Sequence, residues 1–197
     1  MPGAPHPDRP TQSPRAGKVQ ASSLEAWPAV GGGLLLGMTV PALSGTAPLR
    51  HPIKNLFLCI DGQGQASVII PYVRLEPEVL ACAAELIAAE LELSPARITI
   101  DNRVADPDAA PMIADLCPAC ELGLTLIAAA ARSLLKTAAA EAWRMATRDC
   151  VIAQGVVRGA RRQAAYADLA ADAALLPLPS VVFLASGRSI MLRSAHG

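Results

Sequence analysis

Two hydrophobic periods alternate along the chain from about residue 54 onward. The stretches "NLFLCI" (55–60) and "QASVIIP" (65–71) are strand-like, and "DGQG" (61–64) joins them. Asp-Gly between two apolar runs predicts a hairpin. The spacing then becomes helical over about 76–93, where Val79, Leu80, Ala83, Leu86, Ile87 and Leu91 form one apolar face. Pro77 suits the first helical turn. Glu78, Glu85 and Glu92 line the other side as a solvated face. Residues 98–101 read as a strand. The segment 102–119 has no period, and a loop that long in a compact domain is functional or disordered. A second helix is predicted over about 120–146. Its core side carries Leu124, Ile127, Ala131, Leu134, Leu135, Ala138 and Ala142, and its polar side Arg132, Lys136 and Arg144. "DCVIAQGVVRGARRQAAY" predicts a small hairpin turning at Gln154 and Gly155. "YADLAADAALL" predicts a short helix that ends at Pro177. The tail "LPSVVFLASGRSIMLRSAHG" is apolar but shows no clear element. The element order is that of an α+β fold, with short hairpins and strands packed by two main helices.

The upstream part has a different character. Residues 1–28 are rich in Pro, Ser, Gly and Ala, a composition that predicts disorder. The apolar run "AVGGGLLLGMTVPALSG" (29–45) is too short for a confident membrane span and is broken by glycines. It resembles the apolar part of a secretory signal, with Arg9, Arg15 and Lys18 before it and Ala42 and Ser44 near a cleavage point. The alternative is an apolar linker packed on the domain. A functioning signal implies a periplasmic protein; without one the chain is cytoplasmic. The expected organisation is a disordered segment (1–28), a signal-like segment and linker (29–53), and one domain (54–197).

Composition narrows the function. With 52% hydrophobic and 17% charged residues, the chain must bury much of itself or dock on a partner. Aromatic residues are only 3%, so the core is aliphatic and alanine-rich. Lys plus Arg equals Asp plus Glu at 17 each, which leaves no basic field for a nucleic acid. The five cysteines do not form a complete disulfide framework. Cys59 and Cys82 are expected as small core residues. Cys117 and Cys120, in "CPAC", are the main chemical candidate, a possible redox pair. A CxxC ahead of a helix sits where the helix dipole favours thiolate. A thioredoxin-like site also wants a buried strand before it and an aromatic residue beside the first cysteine, and "MIADLCPAC" supplies neither clearly. A zinc site needs two further ligands. His6, His51 and His196 all fall near termini or linkers, so no metal site and no histidine-based catalytic triad is predicted. "GQGQA" (62–66) reads as a turn. "AVGGGLLLG" lacks the Lys-Ser/Thr of a phosphate loop.

The order of these segments resembles the N-terminal part of the molybdopterin-binding large subunit of the xanthine dehydrogenase and aldehyde oxidase family. The nearest type is the isoquinoline 1-oxidoreductase beta-subunit branch. "GGGLLLGMTVPA" is similar to the family's "GGGLLLG…LPA" run. "NLFLCIDGQGQASVIIP" is similar to "NAFVRIxxDGxVTVxxP", and "AAELELSPARITI" to "AEELxVxxxxVxV". "VADPDAAP", "ARSLLKTAAAEAW", "CVIAQGVV" and "AAYADLAADAALLPLP" follow in the family's order, and "SIMLRSAHG" resembles a worn "DFRLIG". The resemblance implies a partial, truncated molybdopterin-binding domain of a molybdenum hydroxylase that oxidises aldehydes or N-heterocycles. It also implies an iron-sulphur small subunit, or another protein subunit, as partner.

The departures fall on the cofactor loops. Where the family has "PHVEMGQG", this chain has Pro71, Tyr72, Val73, Arg74, Leu75, Glu76, Pro77 and Glu78. Both glycines are gone, Pro77 offers no backbone donor, and a carboxylate would repel an anionic cofactor. Where the family has "TGGSxS", the chain reads "LCPACELGLTL". Tyr72, Gly123 and Thr125 are positional remnants of a molybdopterin site, and no catalytic residue carries over. The cofactor is therefore expected not to be retained, and the chain alone not to turn over substrate. Two other readings stand beside this one. One is a noncatalytic subunit docking through exposed apolar faces. The other is a thiol redox protein using Cys117 and Cys120.

Overall fold

The computed structural model describes residues 23–40, 55–71, 73–102, 110 and 112–192. The main sheet has five strands: β1 (Ser23–Ala29), β2 (Gly33–Thr39), β3 (Asn55–Ile60), β4 (Ala66–Ile69) and β6 (Ile98–Asp101), in the order β1-β2-β3-β4-β6. All neighbours are antiparallel except β4 and β6, which run parallel with Ala66 opposite Ile98. Between them lie the two-residue strand β5 (Arg74–Leu75) and helix α1 (Pro77–Leu91), the crossover a parallel pair requires. Strand β7 (Met112–Ile113) pairs with β5. Helix α2 (Pro118–Trp143) follows. A three-stranded sheet comes next, with β8 (Val151–Ala153), β9 (Val156–Gly159) and β10 (Arg162–Ala165). The described chain closes with helix α3 (Tyr166–Ala173) and the hairpin of β11 (Val181–Phe183) and β12 (Ser189–Met191). The architecture is mixed α+β, with three α-helices and several small sheets among the described residues.

Strand alternation explains the core. Leu56, Leu58 and Ile60 of β3 all point inward and are fully buried, as are Leu34 and Leu36 of β2. Helices α2 and α3 cover that face, and α1 packs on α2 and β6. The alanines of α2 lie against these neighbours, with Ala128, Ala130 and Ala131 fully buried. Small side chains let the backbones approach closely, so an aliphatic core closes with almost no aromatic residues. By length and composition α2 could cross a membrane, with a mean hydropathy of 1.3, but 67% of that stretch is buried inside the fold. That burial marks a core helix.

Several expectations hold in detail. The "DGQG" turn forms as read: the Gln63 and Gln65 amides donate to Asp61 Oδ1 at 2.8 and 2.9 Å, and Gly64 takes a φ of 71°. The second hairpin turns at Gln154 and Gly155, both with positive φ, the geometry of a two-residue primed turn.

Other expectations are corrected. Residues 23–40 are not a disordered segment followed by a linker beside the domain. They form the first two strands, and β2 lies between the edge strand β1 and the central strand β3. Apolar residues at 34, 36 and 38 alternate with 35, 37 and 39, a strand period that one continuous apolar run conceals. The turn at Gly31 and Gly32, with φ of 89° and 87°, is what their glycines serve. The expected cleavage point near Ala42 and Ser44 lies outside the described residues. Helix α2 starts at Pro118 rather than Cys120, and Ala142 is exposed rather than core. Cys82 is exposed on α1, not buried. The tail that showed no element forms the β11–β12 hairpin, with Val182 and Ile190 turned inward.

Candidate functional site

The strand-to-helix junction at 71–78 is the place where the resemblance puts a cofactor loop. Leu75 is buried in β5, and the Glu76 amide donates to the Ile113 carbonyl of β7 at 3.1 Å. Glu76 is the extended N-cap of α1 and Pro77 its first residue. The Glu76 amide is therefore spent on β7, and Pro77 has none to offer. Tyr72 lies outside the described residues.

Gly123 and Thr125 both lie on α2, and they do not converge. Gly123 is buried, and a Cβ there would meet Leu56 Cδ1 at 3.1 Å and Val40 Cγ2 at 3.4 Å. Its missing side chain makes room for the sheet, not for a ligand. Thr125 Oγ1 donates to the Glu121 carbonyl one turn back at 2.8 Å. Gly123 and Thr125 do not fit a pterin cradle.

Cys117 and Cys120 are brought together. Cys117 is the N-cap of α2, extended at φ −71° and ψ 154°, and its Sγ accepts from the Cys120 amide at 3.3 Å. The two sulfurs are 2.6 Å apart. Cys120 is 1% exposed and Cys117 partly exposed. Strand β7 does precede the motif, though it is only two residues long. Burial pushes the thiols of Cys59 and Cys150 up from their ordinary value. Among the described residues, no group of three or more His, Cys, Asp or Glu could hold a metal ion.

The most buried charge in the described fold lies elsewhere. Glu90 of α1 is 4% exposed. Its carboxylate accepts from the Ala185 amide at 2.9 and 3.0 Å and meets Arg132 of α2 at 2.8 Å. Arg132 also donates to the Phe183 carbonyl and lies 3.6 Å from Glu92. The node ties α1, α2 and the β11–β12 hairpin together. Burial holds the Glu90 carboxyl above its ordinary value, against the lowering influence of the Ala185 amide and Arg132. One sequence signal pointed to it: Glu90 continues the spacing of Val79, Ala83 and Ile87 and so falls on the apolar face. Arg132 falls on the polar side of the helical period, yet its side chain is only 12% exposed.

An open groove of about 710 Å³ borders this node, lined by Arg132, Lys136, Thr147, Arg148 and Phe183 among others. Arg132 is already committed to its three acceptors. Arg148 is 87% exposed and only 3.9 Å from Asp149, a weak surface pair.

No protein-family model matches the chain, and no curated protein matches it. Among solved structures it is similar to quinoline 2-oxidoreductase from Pseudomonas putida 86, with a TM-score of 0.46 and 17% sequence identity. The similarity covers 70% of this chain and 19% of that chain. The likeness is weak, and this chain spans about a fifth of that chain's length.

Proposed function

We propose that this chain is a divergent piece of the molybdopterin-binding large subunit of a molybdenum hydroxylase-type oxidoreductase. In that reading its relatives act on aldehydes or N-heterocycles, while this chain holds no cofactor and is inactive alone. One observation carries the reading: family-like sequence patches occupy successive elements of the fold in the family's order. "GGGLLLG" covers the first turn and most of β2, and "NLFLCIDGQGQASVIIP" the β3–β4 hairpin. "AAELELSPARITI" spans the end of α1 and β6, "ARSLLKTAAAEAW" the second half of α2, and "CVIAQGVV" β8 and β9. "AAYADLAADAALL" contains α3.

The test is co-expression with an iron-sulphur small subunit of this enzyme class in a host that makes the molybdenum cofactor. The expected result is a stable stoichiometric complex in which this chain, purified alone, carries neither molybdenum nor a fluorescent pterin oxidation product. A chain that neither binds the small subunit nor carries molybdenum would sink the family reading. Molybdenum on the isolated chain would overturn the claim that it holds no cofactor.

A second reading, a noncatalytic subunit that docks through apolar surface, is favoured by the β11–β12 hairpin. Val181, Phe183 and Met191 share its outward face, and Phe183 and Met191 are 66% and 69% exposed. The Phe183→Ser, Met191→Ser double variant is expected to lose a partner complex while keeping its own unfolding temperature within a few degrees, about the scatter of surface substitutions. Size-exclusion chromatography and thermal unfolding read the two effects separately.

A further inference from the structure

The proposal concerns the first turn of α2 and does not rest on the large-subunit reading. Cys117 and Cys120 stand one helical turn apart, with their sulfurs 2.6 Å from each other. The extended N-cap conformation of Cys117 turns its side chain back over the turn, where it accepts the Cys120 amide. Pro118 follows as the first helical residue and has no amide to compete for that cap. The two cysteines differ in access. Cys120 is 1% exposed and packed in the core, whereas Cys117 is partly exposed at the start of the helix. A disulfide substrate can therefore reach Cys117, and Cys120 lies directly behind the sulfur that would be attacked. The sulfurs are within about 0.6 Å of bonding distance.

We propose that Cys117 and Cys120 form a thiol–disulfide exchange pair that acts on an accessible disulfide, with Cys117 as the attacking residue and Cys120 as the resolving one. In the first step the Cys117 sulfur, having lost its proton, attacks one sulfur of the disulfide RSSR. The S–S bond of RSSR breaks, a mixed disulfide forms on Cys117, and the released RS⁻ takes up a proton. In the second step Cys120 loses its proton and attacks the Cys117 sulfur. The mixed disulfide breaks, the Cys117–Cys120 bond forms, and the second RS⁻ is protonated. Two protein thiols are oxidised and one disulfide is reduced to two thiols. A dithiol reductant reverses the sequence.

The test uses the full chain carrying Cys82→Ser, which removes the exposed thiol of α1, and oxidised glutathione as the disulfide. Thiols are trapped by alkylation and mapped by mass spectrometry. The expected product is a Cys117–Cys120 bond with no glutathione retained. With Cys120→Ser added, one glutathione should remain on Cys117. With Cys117→Ser added instead, reaction at Cys120 should slow by about tenfold or more, because the buried Cys120 sulfur loses the mixed disulfide it would resolve and must meet glutathione directly. Should Cys117→Ser fail to fold, partial alkylation of the reduced Cys82→Ser chain gives the same information: Cys117 must react before Cys120. The proposal is overturned if oxidised glutathione leaves both cysteines reduced, if the adduct in Cys120→Ser maps to Cys59 or Cys150, or if Cys120 reacts first.

Discussion

Replacing Arg132 with methionine is expected to destabilise the fold by about 3–5 kcal/mol near neutral pH, the usual consequence of breaking one side of a buried ion pair. Methionine keeps much of the side-chain volume, so the loss reports charge and hydrogen bonding rather than a cavity. The variant leaves the Glu90 carboxylate buried with only the Ala185 amide as its remaining donor among the contacts described. The pH dependence identifies the cause. Burial already holds Glu90 above its ordinary value of 4.5 in the folded chain. A carboxyl raised in this way binds its proton more tightly folded than unfolded. Its stabilising contribution is complete below the unfolded value and is lost as pH rises through the folded one. Removing Arg132 takes away a lowering influence and pushes the folded value higher still. The difference between wild type and Arg132→Met should therefore be small in acid and widen as pH rises. Urea unfolding at a series of pH values measures it. A difference that stays flat from about pH 4 to pH 8 would mean that Arg132 acts through packing and the Phe183 carbonyl alone.

Tyr166→Ala is expected to cost about 3–5 kcal/mol, and Tyr166→Phe about 1–3 kcal/mol. Tyr166 is fully buried, and its hydroxyl donates to the Leu91 carbonyl at 2.7 Å. That carbonyl belongs to the last turn of α1, where the helix supplies no partner. The next carbonyl, of Glu92, accepts the Gly155 amide at 2.9 Å, and the Gly155 carbonyl accepts the Tyr166 amide at 3.0 Å. One tyrosine thus joins α1, the β8–β9 turn and α3. Burial pushes its hydroxyl well above the ordinary value, which keeps the proton needed for donation. The phenylalanine variant isolates the hydrogen bond, and the alanine variant adds the cavity. Equal losses in the two variants would show that the hydroxyl contributes nearly everything and the ring almost nothing.

How much of this was legible depended on the range of the interaction involved. The β3–β4 hairpin could be read from Asp61 and its glycines, because an Asx turn uses only neighbouring residues. The α1 face, strand β6, the core side of α2 as far as Ala138 and the Gln154–Gly155 turn were legible for the same reason: each is a periodic or two-residue signal. The β1–β2 pair was hidden because Leu34, Leu35 and Leu36 read as one apolar run. An interior strand with apolar residues on both faces loses the polar–apolar alternation that betrays an amphipathic one. Here Trp27 and Phe57 flank Gly37 on the face away from the helices, and a Cβ at Gly37 would come within 2.9 Å of the Trp27 ring.

The candidate site divides in the same way. The sequence by itself determined the chemistry available at the start of α2, since a CxxC beside a proline and a helical pattern involves four adjacent residues. It also showed that the 71–78 junction holds no glycine. Only the tertiary structure decided how that junction is used. The Glu76 amide found Ile113, and Gly123 became a contact with Leu56. Glu90, Arg132 and Ala185 came together from three elements, separated by 42 and 53 residues of chain. A helical period tells which residues share a face. It does not tell which charged residue on another helix will be turned inward to meet them, because that depends on where the two helices cross.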